Sequence, residues 1–349
     1  MNSRYSSLKQ SHRFRELDGL RGVAILLVLI GHFSATYPVY FPSGPIPPFS
    51  IYFGGMGVQL FFMISGYVIL MSALRQGSAV RYLVNRAIRL YPAYWVALAI
   101  SSLIIATVGI EYKTITVPQV LVNATMFQRF LFVENVDDVY WTLAIEWQFY
   151  LLLFALLLWK KKHLTENTVL KAAVAWAFIG FIICVWAGPG ENLPMLQKLA
   201  VWAIVAEHAP LFGLGIACFI FAASRDFSWY VPYFAVLAIA NCWLRTSVHY
   251  AVVMILLVAI FIAVTYIRNI AVLRSGPLHF FGRISYSLYL THNVLGVVVL
   301  HHVWLSTGNY WVGFCAGILS STAVAWILHV AVEQKLTRTI KHKLLNGIR

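Results

Sequence analysis

The stretch from Leu17 to Tyr40 reads LDGLRGVAILLVLIGHFSATYPVY and contains one long apolar run, 22–40. A run of about 17 to 25 apolar residues crosses a bilayer as a single helix. Arg21 and His32 are eleven residues apart, so on a helix they share one face and lie about 16 Å apart along the axis. This predicts a membrane helix with a cation near one surface and an imidazole near the bilayer midplane. Ionisable groups at that depth indicate a functional site.

Nine further apolar runs follow, separated by charged, proline-rich or glycine-rich breaks. Hydrophobic residues make up 60% of the 349 residues and charged residues only 11%, which lies outside the range of soluble domains. We therefore predict an all-α, polytopic transmembrane helix bundle of about ten spans. The predicted spans are 22–40, 51–74, 90–110, 140–159, 169–187, 199–223, 229–244, 248–267, 284–305 and 310–332.

The formal net charge of +14 follows this predicted topology. All but four of the 26 lysines and arginines fall on one side of the membrane; the exceptions are Lys113, Arg129, Lys198 and Arg245. Cytoplasmic loops carry the excess of Lys and Arg in membrane proteins, so both termini are predicted to be cytoplasmic. The basic charge thus indicates topology and contact with membrane lipids, and not nucleic-acid binding. The predicted organisation is a cytoplasmic segment 1–20, a membrane domain 21–334 and a basic cytoplasmic tail 335–349.

Arginines cluster on the cytoplasmic side between the second and third spans. Arg86 and Arg89 are three residues apart and would share one face of an incoming helix. The guanidinium group is planar, permanently charged and multidentate, which suits phosphate groups. Anchoring of the topology by positive charge explains many such arginines, but the presence of Arg21 on the same side favours a phosphate site.

Polar side chains also fall inside other spans. Glu146 lies in the fourth span among aromatic residues that include Tyr150, and a lone carboxylate there must be protonated, paired or hydrated. His292 is a second imidazole inside a span. We predict a catalytic role for Glu146 and supporting roles for Tyr150 and His292.

Three more polar residues are candidates for supporting roles. Gln59 is a buried amide within a stretch of small residues that otherwise indicates close helix packing. Glu207 and His208 are neighbours in the sixth predicted span, where adjacent helical side chains point about 100° apart, so each could equally satisfy a neighbouring helix. The sequence has no ligand spacing typical of a metal site, and no metal is predicted.

These segments, in this order, resemble acyltransferase family 3 over nearly the whole chain. The segments that carry the resemblance are 17–32, 57–67, 86–92, 141–150 and 285–292. Members of the family are integral-membrane O-acyltransferases of bacteria that modify surface glycans, lipid-linked sugars and some secreted small molecules. The resemblance implies a stand-alone enzyme without an SGNH domain, located in the cytoplasmic (inner) membrane and acting on a glycan or lipid-linked sugar.

The resemblance also implies roles for particular residues. Arg21 and His32 fall on the family's Arg-x10-His motif, in which the histidine is expected to be essential. Arg86 and Arg89 match an Arg-x-x-Arg motif associated with the acyl-CoA donor, for which acetyl-CoA is the commonest choice. Many members carry Gly-Val-Asp-Leu-Phe-Phe where this chain has Gln59, an amide that can orient a ligand but cannot exchange a proton.

The chemistry of the residues, considered apart from the resemblance, also fits acyl transfer to a hydroxyl. Transfer of an acyl group from a thioester to a hydroxyl needs a base, and neutral imidazole is suited to that role near neutral pH. His32 is the predicted base, although a transient acyl group on His32 is equally open. Arg21, Arg86 and Arg89 would hold the coenzyme A phosphates, and Glu146 would orient the hydroxyl or an imidazolium.

Two other classes of function remain open at this stage. A proton-coupled transporter or flippase of a polysaccharide precursor could also place His and Glu within its spans. The absence of repeated halves and the one-sided arginine cluster argue against it. A scaffold for a polysaccharide-assembly complex would tolerate replacement of Arg21 and His32.

Overall fold

A computed structural model gives the architecture of the chain, with coordinates that describe residues 14–76, 78–160, 165–190, 192–221, 228–267 and 269–345. Most of the predicted segment 1–20 and the end of the predicted tail 335–349 lie outside the described residues. In these ranges the chain forms helices, turns and a single isolated bridge between Ile110 and Lys113. The prediction of an all-α bundle is confirmed.

Twelve helices can be assigned in the part of the chain that is described. They are α1 Arg15–Tyr40, α2 Gly57–Gln76, α3 Ala79–Thr107, α4 Val117–Asn123, α5 Trp141–Lys160, α6 Glu166–Ala187, α7 Met195–Ala203, α8 Ala209–Phe221, α9 Tyr230–Arg245, α10 Val248–Ile267, α11 Gly276–Thr307 and α12 Tyr310–Leu344.

Eight of the described helices are long and apolar enough to cross a membrane: α1, α2, α3, α5, α6, α10, α11 and α12. The helices α8 and α9, with 13 and 16 residues, occupy the predicted sixth and seventh spans. The polytopic architecture is therefore as predicted, whereas the count of ten spans and the side on which the termini lie stay predictions.

Glycines bring α1 and α11 into backbone contact. A Cβ atom on Gly282 of α11 would lie 1.7 Å from the carbonyl oxygen of Asp18, and one on Gly22 of α1 would lie 2.2 Å from that of Leu278. Only residues without a side chain permit this approach, which small residues provide between membrane helices. The contact fixes the register of α1 on α11.

Both helices contain a π-helical turn, and each of these turns begins at a histidine. The turn in α1 runs His32–Thr36 and the turn in α11 runs His292–Gly296. In α1, Pro38 lacks the N–H group that would bond to the carbonyl of Ser34 in an α-helix, which accounts for the widened turn. π-Turns within α-helices occur often at functional sites.

The segment before α5 covers the π-turn of α11. Asp137 is fully buried and accepts hydrogen bonds from Asn293 Nδ2 (2.7 Å) and from the Val294 backbone (3.3 Å). Burial raises the pKa of the Asp137 carboxyl to about 6. This carboxyl therefore ties the loop to the residues directly after His292.

The helix boundaries around the third and sixth predicted spans matter for the site. The third span was predicted to start at 90, but α3 starts at Ala79, because the Ser78 side chain caps the helix by accepting from the Arg81 amide. Arg86 and Arg89 consequently lie within this helix, as their three-residue spacing predicted.

The sixth span was predicted to be continuous over 199–223, but the chain turns between α7 and α8 at 204–208. Val205 has a φ of 55°, which interrupts the helix. Glu207 and His208 lie in this turn, so the helical geometry expected of them does not apply.

Candidate functional site

A cavity of about 60 Å³ lies between α1, α2, α3, α5 and α11; we call it the site cavity. Most of its lining is apolar, with polar groups from all five helices. The polar lining residues are Arg21, Ser65, Arg89, Thr142, Glu146, Ser285, Tyr286 and Tyr289. An apolar pocket with a few convergent polar groups is the usual form of a small-molecule site.

Two arginines from different helices face the site cavity. Arg21 comes from the first turns of α1 and Arg89 from α3, and both are partly exposed. Arg89 and Glu146 are among the charged groups that act on Arg21. Arg21 Nε makes no hydrogen bond within the described ranges. The cavity therefore holds two guanidinium groups and one carboxyl group, with donors available to an anion.

Glu146 is held by hydroxyl groups from two helices. Ser65 Oγ donates to Glu146 Oε1 at 2.9 Å, and the Tyr150 hydroxyl donates to the same oxygen. Tyr150 lies one turn further along α5, which is why the pair meets. The structure thus groups Glu146 with the arginines at the site cavity and supplies the partners that an intramembrane carboxylate requires.

Arg86 does not line the site cavity, although it is one turn from Arg89. It is buried, its Nη2 donates to Ser72 Oγ at 2.6 Å, and its guanidinium lies over the rings of Tyr82 and Tyr150 at 5.9 and 5.8 Å. Arg86 contacts Tyr150 and so lies behind the hydroxyl group that bonds to Glu146.

His32 and His292 form a direct contact, which we call the histidine pair. His32 Nδ1 lies 2.7 Å from His292 Nε2, and the ring centroids are 4.9 Å apart. The other ring nitrogen of His292, Nδ1, lies 2.9 Å from the carbonyl oxygen of Tyr289 and 3.1 Å from that of Leu288. His292 is completely buried, whereas His32 is partly exposed.

Tyr289 connects the histidine pair to the site cavity. Its ring lines the cavity and lies 5.6 Å from the His292 ring. Its hydroxyl accepts from Thr142 Oγ1 at 2.9 Å and donates to the Val139 carbonyl at 3.1 Å. The histidine pair therefore lies next to the wall of the cavity that is formed by α11.

The remaining predicted residues lie elsewhere. Gln59 Oε1 is buried and has no hydrogen-bond partner among the described residues, and Gln59 is not part of the cavity lining. Glu207 accepts from Arg245 Nε at 2.6 Å. His208 lies between the rings of Phe62 and Trp141, at 4.8 and 5.8 Å.

The side chains of Glu207 and His208 approach each other in the turn between α7 and α8. His208 Nε2 lies 3.9 Å from Glu207 Oε2. Burial lowers the pKa of the His208 imidazole to about 4, so it is neutral at neutral pH and the contact is not an ion pair. The structure groups these two residues with Arg245 and not with the histidine pair.

Some residues of the site were missed in the sequence. Ser65 lies in a stretch of small residues that indicates packing, and only its contact with Glu146 reveals a role. Tyr289 is three residues before His292, so helical spacing alone could have placed the two on one face. Asp137 and Asn293 could not have been found, because they are far apart in the sequence.

Among the described residues, no group of three His, Cys, Asp or Glu side chains is arranged to hold a metal ion. The polar groups of the site cavity are guanidinium, carboxyl and hydroxyl groups, which suit an organic anion. The geometry therefore places two guanidinium groups and a carboxyl group in one cavity, with a histidine pair beside its wall.

Comparison with known proteins identifies the family. A family model described as an acyltransferase domain matches residues 14–330, which include the site cavity and the histidine pair. The chain belongs to acyltransferase family 3. The predicted family is thereby confirmed.

Two relatives of this acyltransferase-family chain are informative. A protein named O-acetyl transferase from Shigella phage Sf6 is 24% identical over 235 residues, which is 63% of this chain and 65% of the phage protein. A protein named Nodulation protein 10 from Rhizobium leguminosarum bv. viciae is 29% identical over 132 residues, which is 32% of this chain and 36% of that protein. The matches thus span less than two thirds of either relative. No solved structure matches the chain significantly.

Proposed function

We propose that the protein is a membrane O-acyltransferase that moves an acyl group from cytoplasmic acyl-CoA to a hydroxyl of a glycan or lipid-linked sugar on the other side of the membrane. The observation that carries the proposal is the site cavity, which Arg21 and Arg89 line and whose wall at Tyr289 lies next to the histidine pair. Membership of acyltransferase family 3 and the name of the phage relative support acyl transfer, with acetyl as the transferred group.

The arginines are proposed to bind the donor. Guanidinium groups bind phosphate by charge-assisted hydrogen bonds, and Arg21 and Arg89 would donate such bonds to one phosphate group from two different helices. Coenzyme A carries phosphates at one end and its thioester at the end of a long pantetheine arm. Arg21 and His32 are separated by about 16 Å along α1, a distance that this arm can bridge.

Glu146 is proposed to balance the arginine charges and hold them in place. The carboxyl lines the same cavity and is fixed by Ser65 and Tyr150. Arg86 is proposed to support this arrangement indirectly, because it packs on Tyr150 and does not reach the cavity lining.

His32 is proposed to act as the general base. It takes the proton of the acceptor hydroxyl while the hydroxyl oxygen attacks the thioester carbonyl carbon. The tetrahedral intermediate then collapses, the carbon–sulfur bond breaks, and the thiolate of coenzyme A receives the proton from His32. The products are an ester and free coenzyme A, and the imidazole returns to its neutral form.

The proposal places the molecule in the cytoplasmic membrane of a bacterium, with both termini in the cytoplasm. The bias of lysine and arginine supports this orientation. The acceptor would then approach His32 from the extracytoplasmic side, where glycans and lipid-linked sugars are assembled. The proposed acceptor class includes both glycans and lipid-linked sugars, and we assign no residue to the choice between them.

The test is transfer of label from acetyl-CoA to the membrane glycan fraction by purified, reconstituted protein. His32→Ala should lower kcat by about 10²- to 10⁴-fold, the usual contribution of a general base. His249→Ala is the matched control, because His249 is exposed at the start of α10 and is not part of the cavity lining or of the histidine pair. Both variants should match the wild type in expression and thermal unfolding.

Full transfer by folded His32→Ala protein would overturn the proposed role of His32. Label that crosses the membrane without forming an ester would instead favour a transporter. Label that stays on the wild-type protein in the absence of acceptor, and is lost in His32→Ala, would replace the general base with an acyl-histidine route.

A further inference from the structure

The hydrogen-bond partners of the histidine pair determine where its protons lie. A backbone carbonyl oxygen can only accept a hydrogen bond. His292 Nδ1 lies 2.9 Å from the Tyr289 carbonyl and 3.1 Å from the Leu288 carbonyl, so it must carry the proton and donate. In a neutral imidazole the other nitrogen, His292 Nε2, is then an acceptor.

The same reasoning extends to His32. His32 Nδ1 lies 2.7 Å from His292 Nε2, so one of the two nitrogens must donate. His292 Nε2 is the acceptor, so His32 Nδ1 carries the proton. The proton of neutral His32 is thereby on Nδ1, and the lone pair is left on Nε2.

Burial makes this assignment stable. His292 is fully buried, and a second proton on it would place an unpaired positive charge in the interior, which is costly. Asp137 holds the adjacent Asn293 and Val294, which fixes the π-turn that begins at His292. His32 is the partly exposed member of the pair and is the one that a substrate can reach.

We propose that His292 is a positioning residue that fixes the tautomer and orientation of His32, so that Nε2 of His32 is directed at the reacting groups as the free base. This proposal rests on the proposed function, because it assigns His292 a role through His32. It applies equally to a general base and to an acyl carrier, since both need the unprotonated Nε2. The hydrogen bonds form a chain from His32 Nδ1 to His292 Nε2 and from His292 Nδ1 to the carbonyls of Leu288 and Tyr289, where the chain ends.

The proposal requires His32 to keep its Nδ1 proton throughout the reaction. When His32 takes the hydroxyl proton on Nε2, it becomes an imidazolium that still donates from Nδ1 to His292. His292 remains neutral, because a second proton on its Nε2 would place an unpaired positive charge in the interior and the carbonyls beyond its Nδ1 cannot take up a proton. The proton on His32 therefore has one exit, which is Nε2 and the departing thiolate.

Two variants of His292 separate positioning from packing. His292→Gln places an amide oxygen near the former Nε2 atom, where it can accept from His32 Nδ1. His292→Leu fills similar space without an acceptor. We expect His292→Leu to lower kcat by about 10²- to 10³-fold with the donor KM unchanged, and His292→Gln to recover at least about tenfold of that loss. Equal losses in two folded variants, or wild-type activity of His292→Leu, would overturn the proposal.

A second measurement does not depend on activity. In protein labelled with ¹⁵N-histidine, the His32 signals are assigned by their loss in His32→Gln. At pH 8 the wild type should show a protonated Nδ1 and an unprotonated Nε2 for His32, and His292→Leu should lose this preference. A protonated Nε2 in the wild type would overturn the proposal, whether or not the variants fold. If His32→Ala retains full transfer while the tautomer is as expected, the proposed role of His32 in the reaction fails, and only the assignment of its tautomer by His292 stands.

Discussion

Arg21 and Arg89 carry positive charge into the site cavity from two different helices. Neither side chain is explained by packing alone, because both are partly exposed and face the same space as Glu146. Two like charges in one cavity repel each other and favour the entry of an anion. Removal of either guanidinium group should therefore weaken binding of the anionic donor.

Arg89→Ala should raise the KM for acyl-CoA by roughly 10- to 100-fold, because a charge-assisted hydrogen bond contributes about 1.5–3 kcal/mol. The maximal rate should change much less, since the histidine pair is untouched. Steady-state kinetics with varied acetyl-CoA measures both values. Arg338→Ala, at an exposed arginine of α12, is the control and should match the wild type. An unchanged donor KM in Arg89→Ala would contradict the phosphate role.

Glu146→Gln tests whether this carboxyl acts through charge. The amide oxygen can still accept from Ser65 and Tyr150, so the local structure should persist, while the cavity gains one unit of positive charge. We expect the donor KM to fall by a few-fold and kcat to be maintained. A large loss of kcat with unchanged donor KM would instead assign Glu146 to the chemical step.

At the scale of helices, the contact between α1 and α11 creates the site. Gly22 and Gly282 allow the two backbones to touch, and His32 and His292 meet further along the same helix pair. The π-turn of each of these two helices starts at its histidine, so the irregular turn contains the residue for which we propose a role in the reaction. Changes at the glycines should thus affect the distant histidine pair.

Gly282→Ala should lower the stability of the protein by about 1–3 kcal/mol, the usual cost of overpacking. The added Cβ would lie 1.7 Å from the Asp18 carbonyl oxygen, so α1 must move away from α11. Gly276→Ala on the same helix is the control, because a Cβ there would meet nothing within 4 Å. Thermal unfolding in detergent and transfer activity are the measurements. Equal melting temperatures of the two variants would contradict the close contact.

The helix α1 shows which features of the fold can be predicted from the sequence. Its apolar length and the eleven-residue spacing of Arg21 and His32 are local properties, and both predicted a helix that the structure contains. The break at Val205 was missed, because nothing in the apolar composition of 199–223 marks a left-handed residue. The turn placed Glu207 beside Arg245, 38 residues away, which local spacing cannot anticipate.

The candidate site was predictable in its parts and not in its assembly. The sequence singled out Arg89 by its spacing from Arg86 in a cytoplasmic arginine cluster. It singled out Glu146 and His292 because titratable side chains are costly inside a membrane. The contact of His292 with His32 spans 260 positions and depends on packing between helices, so no periodicity could reveal it. For the same reason, the separate locations of Arg86 and Arg89 required the structure.

At the scale of the whole molecule, the site cavity and the histidine pair are neighbours in one helix bundle. In the proposed reaction, the donor phosphates stay near the N-terminal part of α1 and the thioester extends toward His32. The acceptor arrives from the opposite side, so neither substrate crosses the membrane. The account therefore requires that donor and acceptor be used from opposite faces.

Sealed membrane vesicles of both orientations test this requirement most directly. Radiolabelled acetyl-CoA is added outside vesicles that contain acceptor glycan inside, and labelled ester is measured on the enclosed glycan. We predict ester formation in inverted vesicles with wild-type protein, none with His32→Ala, and none in right-side-out vesicles until they are permeabilised. Equal ester formation in sealed vesicles of both orientations, or in inverted vesicles with His32→Ala, would contradict a reaction at His32 that joins a cytoplasmic thioester to an extracytoplasmic hydroxyl.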